Sequence, residues 1–146
     1  MCTSPQQSRT RWGHFFSTLF FRPSEMHCWD FHTHRERQLH FIFQAGRTKI
    51  EAVIPVSLGI HPWEVAPNWE AAFEKIKLDA AQNWQVFAIG EAGFDRLKGP
   101  EILLQKAAFY AQASLAAQLE IPLILHCVKS HDLLMEYLKS TKNPPA

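Results

Sequence analysis

The chain lacks a charge excess, a closely spaced cysteine pair, an internal repeat and an apolar run long enough to span a bilayer. Fifteen lysines and arginines stand against 14 aspartates and glutamates, a net charge of +1 over 146 residues. That balance excludes a broad electrostatic surface for a polyanion, so any nucleic-acid contact must be local to a site. The three cysteines, Cys2, Cys28 and Cys127, are widely spaced and form no CxxC pair. Neither a disulfide framework nor a zinc knuckle is indicated, and a reducing, cytoplasmic compartment is the expectation. Residues 15–21, behind Arg9 and Arg11, imitate the basic and apolar regions of a signal peptide. Ser17 and Thr18 break that run, however, and no small-x-small cleavage site precedes Arg22-Pro23. The run is also far too short to cross a membrane, and no membrane partner is expected.

What is present is ordinary globular composition. Apolar residues make up 47% and charged residues 20%, enough for one domain with a core. Residues 1–25 differ in character from the rest and are expected to be a dispensable extension. Met26 is a natural start for a domain over 26–146.

From Met26 onward, short apolar runs alternate with helical periodicity. Strands are expected at 28–31, 39–43, 53–60, 86–90 and 122–127. Asn68 is a candidate N-cap for a helix whose Trp69, Ala72, Phe73, Ile76 and Ala80 share one face. Leu104, Ala108, Ala111, Leu115 and Leu119 form a second such stripe, ended by Pro122. A last helix is expected from about Ser130, carrying Leu133, Leu134, Tyr137 and Leu138. Continuously apolar strands alternating with helices imply an α/β fold, a parallel sheet covered by helices.

Polar residues able to bind metal recur at the C-terminal ends of these runs. His32 and His34 follow the first, His61 the third and Glu91 the fourth, and His126 closes the fifth. In α/β barrels and open parallel sheets, sites are built at that end. Residues i and i+2 of an extended segment point to the same side, so His32 and His34 offer two imidazoles to one ion. Imidazole suits borderline divalent metals, a carboxylate such as Glu91 can bridge two ions, and His126 fits the same centre. Bound divalent ions bring the pKa of water toward neutrality and stabilise a leaving oxygen.

Taken singly, each residue has a plainer reading. An isolated HxH often matches by chance. Glu91 alone suits a helix N-terminus, and His126 alone suits a hydrogen-bonded core histidine. Joint placement at strand ends outweighs these readings. His14, His27, His40 and His131 have no such placement and read as surface or packing residues, and Cys127 reads as core, on the face opposite His126.

Several stretches together resemble the TatD family of metal-dependent hydrolases, within the amidohydrolase-like barrels. They are Asp30-Phe31-His32-Thr33-His34, Gly59-Ile60-His61-Pro62-Trp63, Ala88-Ile89-Gly90-Glu91-Ala92-Gly93-Phe94-Asp95, the Gln105…Phe109…Gln112…Ala116 helix and Pro122-Leu123-Ile124-Leu125-His126-Cys127. The resemblance runs from about Met26 to the C-terminus. It implies a TIM-type (β/α)8 barrel, present here as an incomplete barrel of about five parallel strands with flanking helices. It also implies one or two divalent ions (zinc, magnesium or manganese) and hydrolysis of phosphodiesters, typically in DNA. By the same resemblance His32 and His34 bind a first metal, Glu91 bridges, and His126 binds a second. His61 lies near the scissile phosphate, Asp95 supports the site from the loop after Glu91, and Arg35 and Lys129 are candidates for phosphate contact, with solvated surface charge as their alternative.

Family members continue for roughly a further hundred residues, in line with the ~250 typical of such barrels. They carry one more metal-binding histidine, on the sixth strand, and an aspartate at the end of the eighth that positions the water. This sequence stops at Ala146, before both. The expectation is therefore that the 146-residue chain alone has impaired or no nuclease activity. Self-association through unpaired edges at the first and fifth strands is also expected. The alternatives are a non-catalytic remnant that binds metal weakly, and an HxH amidohydrolase-like enzyme acting on another ester or amide. The latter commonly bridges its metals with a lysine, where Glu91 stands here.

Overall fold

The computed structural model describes residues 30–33 and 42–47 as backbone and residues 56–141 in full. The expected extension over 1–25, the start at Met26, and the site candidates His34 and Arg35 lie outside the described residues. So do the leading parts of the first three expected strands.

Five parallel strands form one sheet in the order β1-β2-β3-β4-β5. They are β1 (Asp30–Thr33), β2 (Ile42–Arg47), β3 (Val56–Leu58), β4 (Val86–Asp95) and β5 (Leu123–Val128). A 3-10 turn (Pro62–Glu64) and helix α1 (Trp69–Gln82) connect β3 to β4. Helix α2 (Ile102–Leu119) connects β4 to β5, and α3 (His131–Ser140) follows. Neighbouring strands that are all parallel and in chain order, joined by helices, are the running pattern of a TIM-type barrel.

Most of the apolar stripes read from the sequence bury, but Ala72 and Leu138 are exposed and Ala111 is half-buried, at the margins of their stripes. Ile76 and Ala80 of α1 and Ala108, Leu115 and Ala116 of α2 close over Val56, Leu58, Val86 and Ile89, with Trp69, Phe73, Leu104 and Leu119 packed at the margin. A second cluster joins Ala92 and Phe94 of β4 to Phe109 and Ala113 of α2 and Leu133 of α3. The Phe94 and Phe109 rings lie 4.7 Å apart between centroids. Asn68 does precede α1, but its side chain makes no capping hydrogen bond.

The fourth strand requires a correction. It does not end at Gly90; it runs on through Asp95, so Glu91 stands within the strand and Asp95 at its last position, not in a loop. The extension persists because β5 pairs with it to the end, with Gly93 opposite His126 and Asp95 opposite Val128. Gly93 looks like a strand breaker in sequence, yet its φ of 153° is the conformation that lets this backbone continue. A Cβ there would collide with the His126 carbonyl oxygen. The second strand also falls later than expected, at Ile42–Arg47, since Gln44 and Arg47 obscure its apolar pattern.

Candidate metal centre

Alternation along β4 sorts its residues. Ala92 and Phe94 face the helices, so Glu91, Gly93 and Asp95 face the other side of the sheet. Parallel pairing sets His126 of β5 beside Gly93. With no side chain between them, the imidazole lies between the two carboxylates. His126 Nδ1 is 3.4 Å from Glu91 Oε1, and Nε2 is 3.2 Å from Asp95 Oδ2. Just beyond β3, His61 caps the 3-10 turn and brings its Nε2 to 3.1 Å from His126 Nδ1.

His61, Glu91 and His126 each contribute a ligand atom lying within 4.8 Å of the others, the group among the described residues able to hold a metal ion. Two imidazoles and a carboxylate form a donor set that fits a borderline or hard divalent ion. Of the other candidates, His32 falls within strand β1. Lys129 is exposed in the loop after β5, where its carbonyl accepts from Arg96 Nη1 at 3.0 Å. His131 begins α3 and is exposed, as its reading as a surface residue required. Cys127 is a free thiol of intermediate burial.

The protons of this site follow from its fixed partners. Burial pushes the Asp95 carboxyl upward. That push is outweighed by hydrogen bonds from the Trp63 indole, the Leu97 amide, His126 and the Lys98 amide, which hold it well below the usual carboxylate range. The carboxylate is therefore an acceptor only, so His126 donates from Nε2, and a metal would be taken through the lone pair of Nδ1. That lone pair and Glu91 Oε1 face each other at 3.4 Å. The same Nδ1 also meets His61 Nε2 at 3.1 Å, and the convergence of one ligand atom from each of His61, Glu91 and His126 within 4.8 Å is what makes the site fit a divalent cation.

His61 is oriented differently. The Trp63 amide donates to its Nδ1 at 3.2 Å. Burial, and then the neighbouring His126, lower its pKa against the opposing pull of Glu91, Glu64 and Asp95. The ring is therefore neutral and carries its proton on Nε2. In this state His61 is a donor, and ligation through Nε2 would require the proton to move to Nδ1 at the expense of the Trp63 bond.

Two glutamines hold the backbone that carries these groups. Gln105 and Gln112 lie two turns apart on one face of α2 and are both buried, at 1% exposure. Gln112 Oε1 accepts from the Ile60 amide at 2.7 Å, and its Nε2 donates to the Ile60 carbonyl at 3.2 Å. Gln105 Oε1 accepts from the Asp95 amide at 2.8 Å, and its Nε2 donates to the Asp95 carbonyl at 3.1 Å and to Pro100 at 2.7 Å. Sequence reading noted these glutamines within the resemblance but gave them no role. Polar side chains at i and i+7 on an otherwise apolar helix face were the available signal.

Comparisons with known proteins bear on the family and the fold. The family model described as "TatD related DNase" matches residues 27–146. The "3'-5' ssDNA/RNA exonuclease TatD" of Escherichia coli (strain K12) is 37% identical over 84 residues, which cover 56% of this chain and 31% of that protein. The protein of the same name from Klebsiella pneumoniae (strain 342) is 39% identical over the same length and shares. The chain thus spans under a third of the length of these curated relatives. Among solved structures, that of YJJV, a TatD homologue from Escherichia coli K12, superposes with a TM-score of 0.53 at 29% identity, over 60% of this chain and 34% of that one. The fold is accordingly of the TIM-barrel type.

Proposed function

The chain belongs to the TatD-related DNase family, and from that premise we propose that it supplies the metal-binding part of a hydrolase that cleaves phosphodiester bonds in single-stranded nucleic acid. The observation that carries this reading is His126 held between two carboxylates, with Asp95 fixing one ring nitrogen and Glu91 sharing the other. Glu91 and His126 would hold one divalent ion, and His32 and His34, with Glu91 as the bridge, a second; zinc, magnesium and manganese all suit these donors. Bound there, such ions supply Lewis acidity toward a phosphoryl oxygen and a nucleophilic water at neutral pH.

The protein's own groups do the rest. Asp95 keeps the His126 proton on Nε2 and the ligand lone pair on Nδ1, as carboxylates behind metal-bound histidines do. His61 keeps its Trp63 bond, and its Nε2–H, which now meets His126 Nδ1 at 3.1 Å, would turn to a phosphate oxygen once a metal takes that nitrogen. Arg35 and Lys129 would contact flanking phosphates. The cytoplasm is the compartment we propose, on the strength of the free Cys127 thiol and the absence of a CxxC pair in the sequence. Self-association belongs to the same proposal, because Leu125 of β5 is exposed at 45%.

The test is manganese-dependent shortening of an end-labelled single-stranded oligonucleotide by the protein, with Glu91→Gln and His126→Ala alongside. Activity should vanish with chelator and in both variants. Cleavage that survives in either variant would overturn the proposal, as would a wild-type protein that binds none of the three metals in calorimetric titration; binding of metal with weak or no cleavage is the impaired activity expected of this chain. Elution as a monomer at all concentrations would overturn the self-association.

A further inference from the structure

Next to the centre stands an aromatic side chain that the hydrolytic reading does not use. Trp63 is 49% exposed. Its orientation is nevertheless fixed. Its indole Nε1–H donates to Asp95 Oδ2 at 2.6 Å, the same oxygen that meets His126 Nε2. The ring edge-packs on His61 with centroids 4.7 Å apart. Lys98 Nζ lies over the indole, 4.2 Å from the ring centroid. Lys98 is itself carried on a braced loop, where Asp95 Oδ1 accepts from the Leu97 and Lys98 amides at 2.7 and 2.9 Å. Gly99, at a φ of 92°, brings that loop so close that a Cβ would come within 2.7 Å of the Pro62 carbonyl oxygen. One carboxylate therefore orients the ligand histidine, the exposed indole and the loop bearing the ammonium.

Resting on the nucleic-acid reading above, we infer that Trp63 and Lys98 form a seat for one unpaired nucleotide of the substrate strand, the base stacked on the indole and the ammonium moved to the adjoining phosphate. A pre-oriented, half-exposed indole is a stacking platform for any base. The cation now covering it marks the face a base would take, and the flexible lysine stem lets the ammonium leave that face for a phosphate oxygen. A chain with net charge +1 has no general electrostatic grip on a polyanion, so a local stacking-and-cation pair beside the metal centre answers the need for strand binding. The seat is open to single strands, because a paired base cannot present its face.

The experiment compares binding of two labelled strands of equal length by the manganese-loaded protein, both with cleavage-resistant phosphorothioate links. One is an oligothymidylate and the other is abasic throughout. The wild-type protein should prefer the strand with bases by about tenfold or more. Trp63→Ala should bind both strands alike, Trp63→Phe should restore much of the preference, and Lys98→Ala should weaken both and lower the salt slope by about 0.7. A Trp63→Ala variant that keeps the wild-type preference overturns the seat. So does a wild-type protein that cleaves single strands yet shows no preference for bases, and that outcome leaves the hydrolytic reading standing. A wild-type protein that binds neither strand overturns the seat, and one that also binds no metal overturns both.

Discussion

Replacing Gln112 with leucine removes both hydrogen bonds that α2 makes to the Ile60 peptide, in a place where water cannot substitute. Gln112 is buried, with its carboxamide at 2.7 Å from the Ile60 nitrogen and 3.2 Å from the Ile60 oxygen. Leucine has nearly the same size, so the change opens no large cavity. What it does is strand one buried donor and one buried acceptor, each costing about 1–3 kcal/mol. The added apolar surface returns about 1 kcal/mol. A net loss of about 1–5 kcal/mol follows, about 3 kcal/mol at mid-range and a large share of the ~5–15 kcal/mol available to a domain. In urea, with a slope of about 1–3 kcal/mol per molar, the midpoint should fall by about 1–2 M. Gln112→Glu gives an independent check. Its carboxylate still accepts from the Ile60 amide, but it turns an oxygen toward the Ile60 and Ala108 carbonyls that Nε2 now serves. It should be at least as destabilising as leucine, although it is the more conservative change in shape. A leucine variant whose midpoint moves by under about 0.3 M at unchanged slope would refute the argument that this side chain holds the end of β3.

Three other outcomes follow from the same geometry. Asp95→Asn keeps an acceptor for the Leu97 and Lys98 amides but sets an NH2 group against the Trp63 and His126 donors; metal affinity by calorimetric titration should fall by about 10- to 100-fold, with the far-ultraviolet circular dichroism unchanged. Because the folded state holds the Asp95 carboxyl below its ordinary range, its contribution to stability is present above about pH 4 and is lost as the pH falls through the folded value; the stability gap between wild type and Asp95→Asn should therefore narrow on acidification, and a gap constant from pH 7 to the acid transition would contradict this. Gly93→Ala should cost about 3 kcal/mol or more, or prevent folding, because its Cβ meets the His126 carbonyl oxygen and its φ of 153° strains any side chain; a melting temperature within a degree or two of wild type would show that β4 and β5 do not approach as described.

The elements that bury an apolar face were legible before the fold was known, because amphipathic periodicity is a local record of a global event. The stripes on α1 and α2 are of this kind, and they pack where their spacing placed them. The extent of β4 was not legible. Glu91, Gly93 and Asp95 read as the start of a loop, since a glycine flanked by carboxylates has no period-two apolar signal. What keeps them in a strand is non-local: pairing with β5, and the face opposite Ala92 and Phe94 turned toward a polar centre. Likewise the residue types of the site were visible as a set, while the division of labour among them was not. Sequence order cannot show that the Trp63 amide occupies His61 Nδ1, nor that Asp95 occupies His126 Nε2.

Those two bonds give the two histidines opposite characters. Both rings are neighbours of Glu91 and of each other, and in composition they are interchangeable. The partner of the outer nitrogen decides what the inner one can do. A backbone amide can only donate, so it leaves His61 with a proton facing the centre. A carboxylate held ionised can only accept, so it leaves His126 with a lone pair facing the centre. Exchanging those partners would exchange the roles even with every ring in place. This is why Asp95, four positions beyond Glu91 and buried at 3% exposure, would bear on metal binding as directly as a residue that touches the ion. Trp63 enters by the same route. Its indole shares the Asp95 oxygen with His126, so a change in how the indole is held would be felt at His126 Nε2, one hydrogen bond away and across the ring from the proposed ligand nitrogen Nδ1.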